Sequence, residues 1–232
     1  MHSKNNYYHP KHFIMIPFEE ESFLSDYKEL CNKLISENPK NFNKGLLQKP
    51  TKLHFSVIQL ELNEDEELIK KVISVLDNIQ EEIKSISEGN LTFNFEKFDV
   101  MDSIEETRVV YAKMYEDENF KKLNNIIDLV IRSLINEGII KDDKSSLNKY
   151  YINYSHGFYS IKLHLTLLNT TFLNKILKKE KKKNIRNFDS TEIMNFFNGE
   201  KMNSCKLNKI DFCVMREDKS IEKYELVKSY EM

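Results

Sequence analysis

The chain has 232 residues, of which 40% are hydrophobic and 31% are charged, so it can bury a substantial core beneath a charged surface. Its formal net charge of −2 argues against a protein that coats nucleic acid over its whole surface, although a local basic cleft stays compatible with it. No stretch reaches the ~18 apolar residues of a membrane span, the first residues lack a secretion signal, and the three cysteines lack C-x-x-C spacing. We therefore expect an intracellular protein, nuclear or cytoplasmic, with no membrane partner.

The first half of the chain alternates between short apolar runs and amphipathic stretches. Residues 1–11 are polar and are expected to form a tail. Pro17 closes the first apolar run, while Asn38-Pro39 and Gly89-Asn90 each stop a helical pattern. The spacing predicts four elements in the order strand, helix, strand, helix: residues 12–18, 23–35, 52–62 and 68–86.

The second half shows a similar succession of elements. Five strands are predicted: residues 91–98, 109–114, 160–169, 205–215 and 224–230. Two helices are predicted: residues 120–135 and 189–197. Two segments are predicted to be loops, the first polar and aromatic and the second basic: residues 142–159 and 178–186. The order strand, helix, strand, strand occurs twice, which is typical of an α+β fold with mainly antiparallel sheets.

Two short segments of the chain resemble each other. K-L-H-F-S-V begins at Lys52 and K-L-H-L-T-L begins at Lys162, so the two histidines, His54 and His164, are separated by close to half the chain. A duplication would leave this pattern. It predicts that residues 12–232 form a single domain of two pseudo-symmetric lobes around a central cleft.

Each of these segments combines a histidine with a hydroxyl residue two positions later. Side chains alternate between the two faces of a strand, so His54 shares a face with Ser56, and His164 with Thr166. Two imidazoles can act as base and acid on a phosphodiester, because their unperturbed pKa of ~6.5 is close to neutral pH. The hydroxyls can donate hydrogen bonds to the non-bridging phosphate oxygens. The symmetry leaves open which histidine is the base.

A metal site is the weaker interpretation of the two histidines. Zinc sites usually need three or four protein ligands, and neither motif carries a carboxylate or thiol two or four positions after its histidine. We therefore predict chemistry without a metal or another cofactor.

Other residues near the motifs are candidates for substrate binding. Lys52 and Lys162 are expected on the strand face of the histidines, where they would either neutralise phosphates or remain exposed. Tyr154 and Phe158, in the aromatic loop before the second motif, would either stack on bases or pack the loop onto the core. The basic run at residues 178–186 is compatible with a nuclear-localisation signal, an RNA-backbone patch or a solvated loop.

The paired His-x-Ser/Thr motifs resemble those of the 2H phosphoesterase superfamily. The closer resemblance is to the domain shared by the A-kinase anchoring protein 2H (2′,5′ RNA ligase-like) domain and subunit 1 of the activating signal cointegrator 1 complex. It rests on four stretches: residues 12–18, 49–60, 109–114 and 160–170. Residues 187–197 and 207–213 resemble the cointegrator subunit more than the anchoring protein.

The resemblance implies a 2H phosphoesterase fold, metal-independent phosphodiester chemistry and RNA or nucleotide ligands. By motif, His54, Ser56, His164 and Thr166 correspond to the catalytic residues, with serine in place of the commoner threonine in the first motif. The resemblance further implies a subunit of a cointegrator-type complex in transcription or repair, although the KH domain typical of that subunit has no counterpart here. Two alternatives stay open: a non-catalytic nucleotide- or RNA-binding scaffold, and a protein-interaction role of the outer helical faces.

Overall fold

The computed structural model describes residues 12–62, 65–89, 91–218 and 222–232, so the predicted polar tail, residues 1–11, lies outside the described residues. Within that part of the chain there are six α-helices: α1 (Glu21–Glu37), α2 (Glu66–Ser87), α3 (Glu118–Asn136), α4 (Lys144–Lys149), α5 (Thr170–Lys179) and α6 (Thr191–Phe197).

Eleven strands accompany these helices in the described residues. They are β1 (His12–Pro17), β2 (His54–Leu60), β3 (Leu91–Phe93), β4 (Phe95–Val100), β5 (Val109–Met114), β6 (Asn153–Ser155), β7 (Phe158–Ser160), β8 (Leu165–Asn169), β9 (Cys205–Leu207), β10 (Lys209–Asp218) and β11 (Lys223–Glu231). All their pairings are antiparallel. The predicted α+β class with antiparallel sheets is therefore confirmed.

Two sheets carry the histidine motifs. The first lobe is the four-stranded sheet in the order β11-β10-β1-β2, and the second lobe is the three-stranded sheet in the order β4-β5-β8. The motif strands β2 and β8 stand at the ends of these orders and contact each other. The chain just before the first motif joins the lobes, because the N–H of Gln48 donates to the carbonyl of Leu167 at 2.8 Å.

The long helices follow the predicted amphipathic pattern. Asp65 caps α2 and Asp117 caps α3 through side-chain oxygens that accept from backbone N–H groups of the first turn. The apolar faces of α2 and α3 pack against each other and join one continuous core that spans both lobes. Burying each large aliphatic side chain there contributes about 1.5–3 kcal/mol. Within the described residues, no helix is both long and apolar enough to span a membrane.

Several predicted boundaries were wrong. The predicted strand at residues 91–98 is divided at Asn94, because β3 pairs with β9 whereas β4 pairs with β5. The predicted loop at residues 142–159 contains α4 and the β6–β7 hairpin. The sequence interpretation also missed α5, whose N-cap is the Asn169 side chain, an acceptor from the N–H of Thr171.

The two lobes are not successive halves of the chain. The closing strands β10 and β11 return to the first lobe and pair beside β1, whereas the second lobe is completed by β4 and β5. Antiparallel pairing with β1 places β10 inside the first sheet, a position that the repeated element order does not predict. This return brings Tyr224 of β11 to the first motif.

Candidate active site

The two motifs adopt the same local conformation. Leu53 and Phe55 are buried and His54 and Ser56 are half-buried, and the four corresponding residues of the second motif show the same alternation. The burial pattern therefore agrees with the prediction that each histidine lies on the same strand face as its hydroxyl partner.

A β-bulge follows the hydroxyl residue in both motifs. The register of β2 against β1 shifts just after Ser56, so that Val57 has no partner, and the register of β8 against β5 shifts just after Thr166, so that Leu167 has none. Bulges re-aim neighbouring side chains and often adjoin active sites. The equivalent position of the two bulges gives the motifs the same backbone geometry.

The lysine of each motif lies before the strand, which corrects the predicted strand limits at residues 52–62 and 160–169. Lys52 ends a 3₁₀ turn (Pro50–Lys52), and Lys162 precedes β8. Their carbonyls accept hydrogen bonds from the Nδ1–H groups of the histidines, at 2.7 Å for His54 and 2.8 Å for His164. Because Nδ1 carries the hydrogen in each neutral ring, Nε2 is the basic nitrogen in both.

His54 contacts two aromatic rings that also contact each other, with ring centroids 4.8 Å apart. Phe13 on β1 and Tyr224 on β11 contact it edge-on, with ring centroids 5.4 Å and 5.5 Å away. The Ser56 hydroxyl donates to Nε2 of His54 at 3.0 Å. The ammonium of Lys52 stands 5.1 Å from the ring centroid of Tyr224.

His164 has a similar but smaller set of neighbours. Tyr111 on β5 contacts it edge-on at 5.6 Å, and the Lys162 ammonium stands 5.3 Å from the centroid of Tyr111. Sequence reasoning missed Phe13, Tyr111 and Tyr224 as site residues. No spacing marks them, because they come from strands that are adjacent only in the folded sheets.

The surroundings of both histidines lower their pKa values. Burial lowers the pKa of His54 to about 4, and the nearby charge of a protonated His164 contributes to this lowering. Burial also lowers the pKa of His164, and so does the adjacent Lys162 ammonium. Both rings are therefore neutral at pH 7 before a ligand binds, and a bound phosphate would favour a proton on one of them.

The predicted base-stacking residues are not at this site. Phe158 lines a cavity of about 350 Å³ with residues of α2 and α3. Tyr154 is exposed and packs on Tyr159, at a centroid distance of 4.6 Å. A cavity of about 460 Å³ along β4 contains no motif residue either. The loop before the second motif is a hairpin on α3, which holds Tyr154 and Phe158 away from the histidines.

The described residues contain no group of three or more His, Cys, Asp or Glu side chains that could hold a metal ion. Independence from metals itself stays a prediction until it is measured.

The chain matches a known protein family over nearly its whole length. The family model described as "AKAP7 2'5' RNA ligase-like domain" matches residues 10–232. The chain belongs to this family. The resemblance inferred from the two motifs is thereby confirmed, whereas the closer likeness of some segments to the cointegrator subunit stays a prediction. Among curated proteins, no relative matches the chain significantly.

Solved structures show the same fold at low sequence identity. The protein TT0787 of Thermus thermophilus is 11% identical, with a TM-score of 0.55 over 95% of this chain and 97% of that one. E. coli LigT complexed with 3′-AMP is 12% identical, with a TM-score of 0.49 over 96% and 98%. Kluyveromyces marxianus Usb1 with uridine monophosphate is 11% identical, with a TM-score of 0.46 over 88% and 94%. The likeness to TT0787 concerns the fold alone.

Proposed function

We propose that the protein is a metal-independent phosphodiesterase that acts on RNA or oligonucleotides. The observation that carries this proposal is the duplicated histidine geometry: two imidazoles, each bonded through Nδ1 to a carbonyl, lie close enough for the charge of one to lower the pKa of the other. A base and an acid that act on one phosphorus atom need this proximity.

His54 and His164 would form the acid–base pair. Their backbone contacts engage Nδ1 of each ring, so Nε2, which at His54 contacts the Ser56 hydroxyl, would act on the attacking or leaving oxygen of a phosphodiester. General acid–base catalysis of this kind contributes typically ~10²–10⁴-fold in rate for each group.

Ser56 and Thr166 would bind the non-bridging phosphate oxygens. Their hydroxyls stand one pleat from the histidines on the same face, and they add no negative charge beside the anion. Lys52 and Lys162 would supply positive charge. Both lysines precede the motif strands. Their ammonium groups lie over Tyr224 and Tyr111, the rings that contact the histidines.

RNA or nucleotide ligands are proposed on the family and on the chemistry of the site. The crystallised LigT and Usb1 complexes held 3′-AMP and uridine monophosphate. A role in a cointegrator-type complex and a nuclear location rest on resemblance alone and stay predictions.

The test is cleavage of a panel of short oligonucleotides in EDTA: 3′,5′-linked RNA, 2′,5′-linked oligoadenylate, RNA ending in a 2′,3′-cyclic phosphate, and DNA. We expect turnover of at least one RNA substrate and none by a variant with His54→Ala and His164→Ala. His156→Ala is the matched control, because His156 is exposed in the β6–β7 turn.

Two other results would change the conclusion. Binding of 3′-AMP or RNA without any turnover would favour the non-catalytic scaffold. Turnover that EDTA abolishes would contradict the metal-independent mechanism.

A further inference from the structure

A strongly basic surface lies outside the candidate active site. Between residues 175 and 186 the chain carries six lysines and one arginine against a single acid, Glu180. All seven cationic side chains are exposed. Because the whole chain has a formal net charge of −2, the rest of the molecule is net acidic, and this segment reverses that sign locally.

Hydrogen bonds hold the basic segment against the helix that it follows. The predicted loop at residues 178–186 begins in the last turn of α5. The side-chain amide of Asn174 donates to the carbonyl of Ile185 at 2.8 Å and accepts from its N–H at 2.9 Å. The N–H of Lys182 donates to the carbonyl of Leu177 at 2.8 Å. The backbone of the segment therefore folds back on α5, which keeps its cations together on one surface.

A lysine from a distant part of the chain joins this surface. The 3₁₀ turn Lys44–Leu46 packs on α5. Its backbone approaches so closely that a Cβ atom at Gly45 would stand 2.8 Å from Cδ1 of Leu173. Lys44 is exposed beside this contact. We call the exposed cationic side chains of residues 175–186, together with Lys44, the basic face.

The protein itself neutralises little of the charge on the basic face. Lys182 pairs with Glu180 at 2.8 Å, and the described residues form no ion pair with another member of the face. By contrast, Lys70, Lys84 and Lys121 on α2 and α3 each pair with the glutamate three residues earlier. The positive charge of the basic face is therefore open to anions from solution.

The basic face lies on the second lobe, away from the two histidines. β8 begins just after His164, and α5 begins where β8 ends. The five residues of β8 span about 17 Å. An anionic ligand that contacts both the histidines and the basic face must therefore be a polymer that extends over several phosphates.

We propose that the basic face binds the phosphate backbone of an RNA strand whose cleaved linkage lies at the histidines. This inference rests on the proposed function for the class of ligand, and goes beyond it by adding a contact surface outside the active site. Contacts to phosphates fix the position of a strand but do not read its sequence. The basic face would therefore favour long strands over short ones, whatever their bases.

The composition of the surface favours RNA over a protein partner. Protein interfaces depend on a central cluster of aromatic and apolar anchors. In the basic segment, the exposed large apolar side chain is Ile176, and the other exposed side chains are polar or charged. Concentrated lysine charge on one face is instead the typical footprint of nucleic-acid binding.

The test measures RNA affinity at several salt concentrations by fluorescence anisotropy. The probe is a labelled 2′-O-methyl oligouridylate, which lacks the 2′-hydroxyl that would attack its own linkage. Its length exceeds the ~4–16 nucleotides that a single-stranded binding groove typically covers. The reversal variant carries Lys178→Glu, Lys179→Glu and Lys183→Glu. The control variant carries Lys70→Glu, Lys84→Glu and Lys121→Glu, which change the net charge equally.

The reversal variant should bind the oligouridylate ~10–100-fold more weakly at moderate salt. The slope of log K against log salt concentration should fall by ~2, because each contact to a single-stranded phosphate contributes ~0.7 to it. The control variant should stay within ~3-fold of the wild type, since charges beyond a Debye length are screened. Cleavage of a dinucleotide by the reversal variant should be unchanged.

Milder substitutions keep the test valid if the reversal variant does not fold, as judged by circular dichroism. Glutamine at positions 178, 179 and 183 removes the charge without adding a repulsive one, and should also weaken binding and lower the salt slope. Arginine at the same positions keeps the charge and should preserve both.

The outcomes separate this inference from the proposed function. Unchanged RNA affinity of the reversal variant would overturn the inference, and so would equal losses in the reversal and control variants, because overall charge would then explain the binding. If the wild-type protein cleaves no RNA but the reversal variant still loses affinity and salt slope, the basic face is supported and the phosphodiesterase proposal fails.

Discussion

His54 begins an edge strand of a four-stranded sheet, whereas His164 stands just before an edge strand of a three-stranded sheet. Both rings donate through Nδ1 to the carbonyl two residues earlier, and both motifs are followed by the same β-bulge. Among the described residues, His54 contacts two aromatic rings and His164 one, and the ring of Tyr224 reaches His54 because β11 belongs to the first lobe. The hydrogen bonds from Nδ1 and the two bulges set the positions of the imidazoles, whereas β11, which belongs to the first lobe, makes their basicities differ.

The comparison suggests how a duplicated site acquires distinct halves. A change in one sheet alters the side chains around one histidine without changing the hydrogen bond to the backbone carbonyl that orients its ring.

Removal of either imidazole should have the largest effect. We expect His54→Ala and His164→Ala each to lower kcat/KM on the cleaved oligonucleotide by ~10²–10⁴-fold, because each ring transfers one proton in the reaction. Steady-state kinetics measures this, with His156→Ala as the matched control. Full activity of either variant would mean that the second histidine is not part of the mechanism.

The pH dependence of stability should reveal the buried ring. The unfolded chain protonates His54 as the pH falls below ~6.5, whereas the folded protein protonates it only near its pKa of about 4. The stabilisation that comes from the neutral form of His54 is therefore fully present above pH ~6.5. It is lost as the pH falls from ~6.5 to ~4, which lowers the free energy of unfolding by about 3 kcal/mol at most.

Urea denaturation at several pH values measures this loss. His54→Gln should reduce the dependence on pH more than His164→Gln does. An equal reduction by the two variants would show that the lobes do not differ in this respect.

The hydroxyl residues should contribute less than the histidines. We expect Ser56→Ala and Thr166→Ala each to lower kcat/KM by ~10-fold, the worth of about one hydrogen bond to an anion. Ser56→Thr and Thr166→Ser keep the hydroxyl and should restore most of the activity. If these conservative variants are as impaired as the alanine variants, the residues act through packing rather than through the hydroxyl.

Tyr224→Leu should have the smallest effect and tests the strand that only one lobe has. A smaller side chain lets water reach His54, so the pKa of His54 should rise by less than about one unit while that of His164 stays unchanged. An NMR titration of the two imidazoles measures both values. Leu226→Ala, at an exposed residue of the same strand, is the control. A matching rise at His164 would argue against a local effect.

The sequence was sufficient for the elements that are marked by local patterns. Pro17 and the apolar run before it locate β1, and the amphipathic faces of α2 and α3 match their predicted residues. The four motif residues were found because they repeat in the sequence and their strand period places them on one face.

The rest of the site depends on contacts between distant parts of the chain. Tyr224 reaches His54 only because β11 pairs in the first lobe, and Tyr111 reaches His164 because β5 pairs with β8. For Tyr154 and Phe158 the sequence left base stacking and packing open, and the structure places Tyr154 on Tyr159 and Phe158 beside α2 and α3. Local composition also concealed α4 and α5, which are short and depend on the caps Asp143 and Asn169.

His54 and His164 are expected to act together in one step, and a double-mutant cycle measures whether they do. Single-turnover rates on the cleaved oligonucleotide would be measured in EDTA for the wild-type protein, the two single alanine variants and the double variant. We expect the double variant to be no slower than the more impaired single variant, within about threefold, because groups that act as a unit are not additive. A double variant whose loss equals the product of the two single losses would contradict the account.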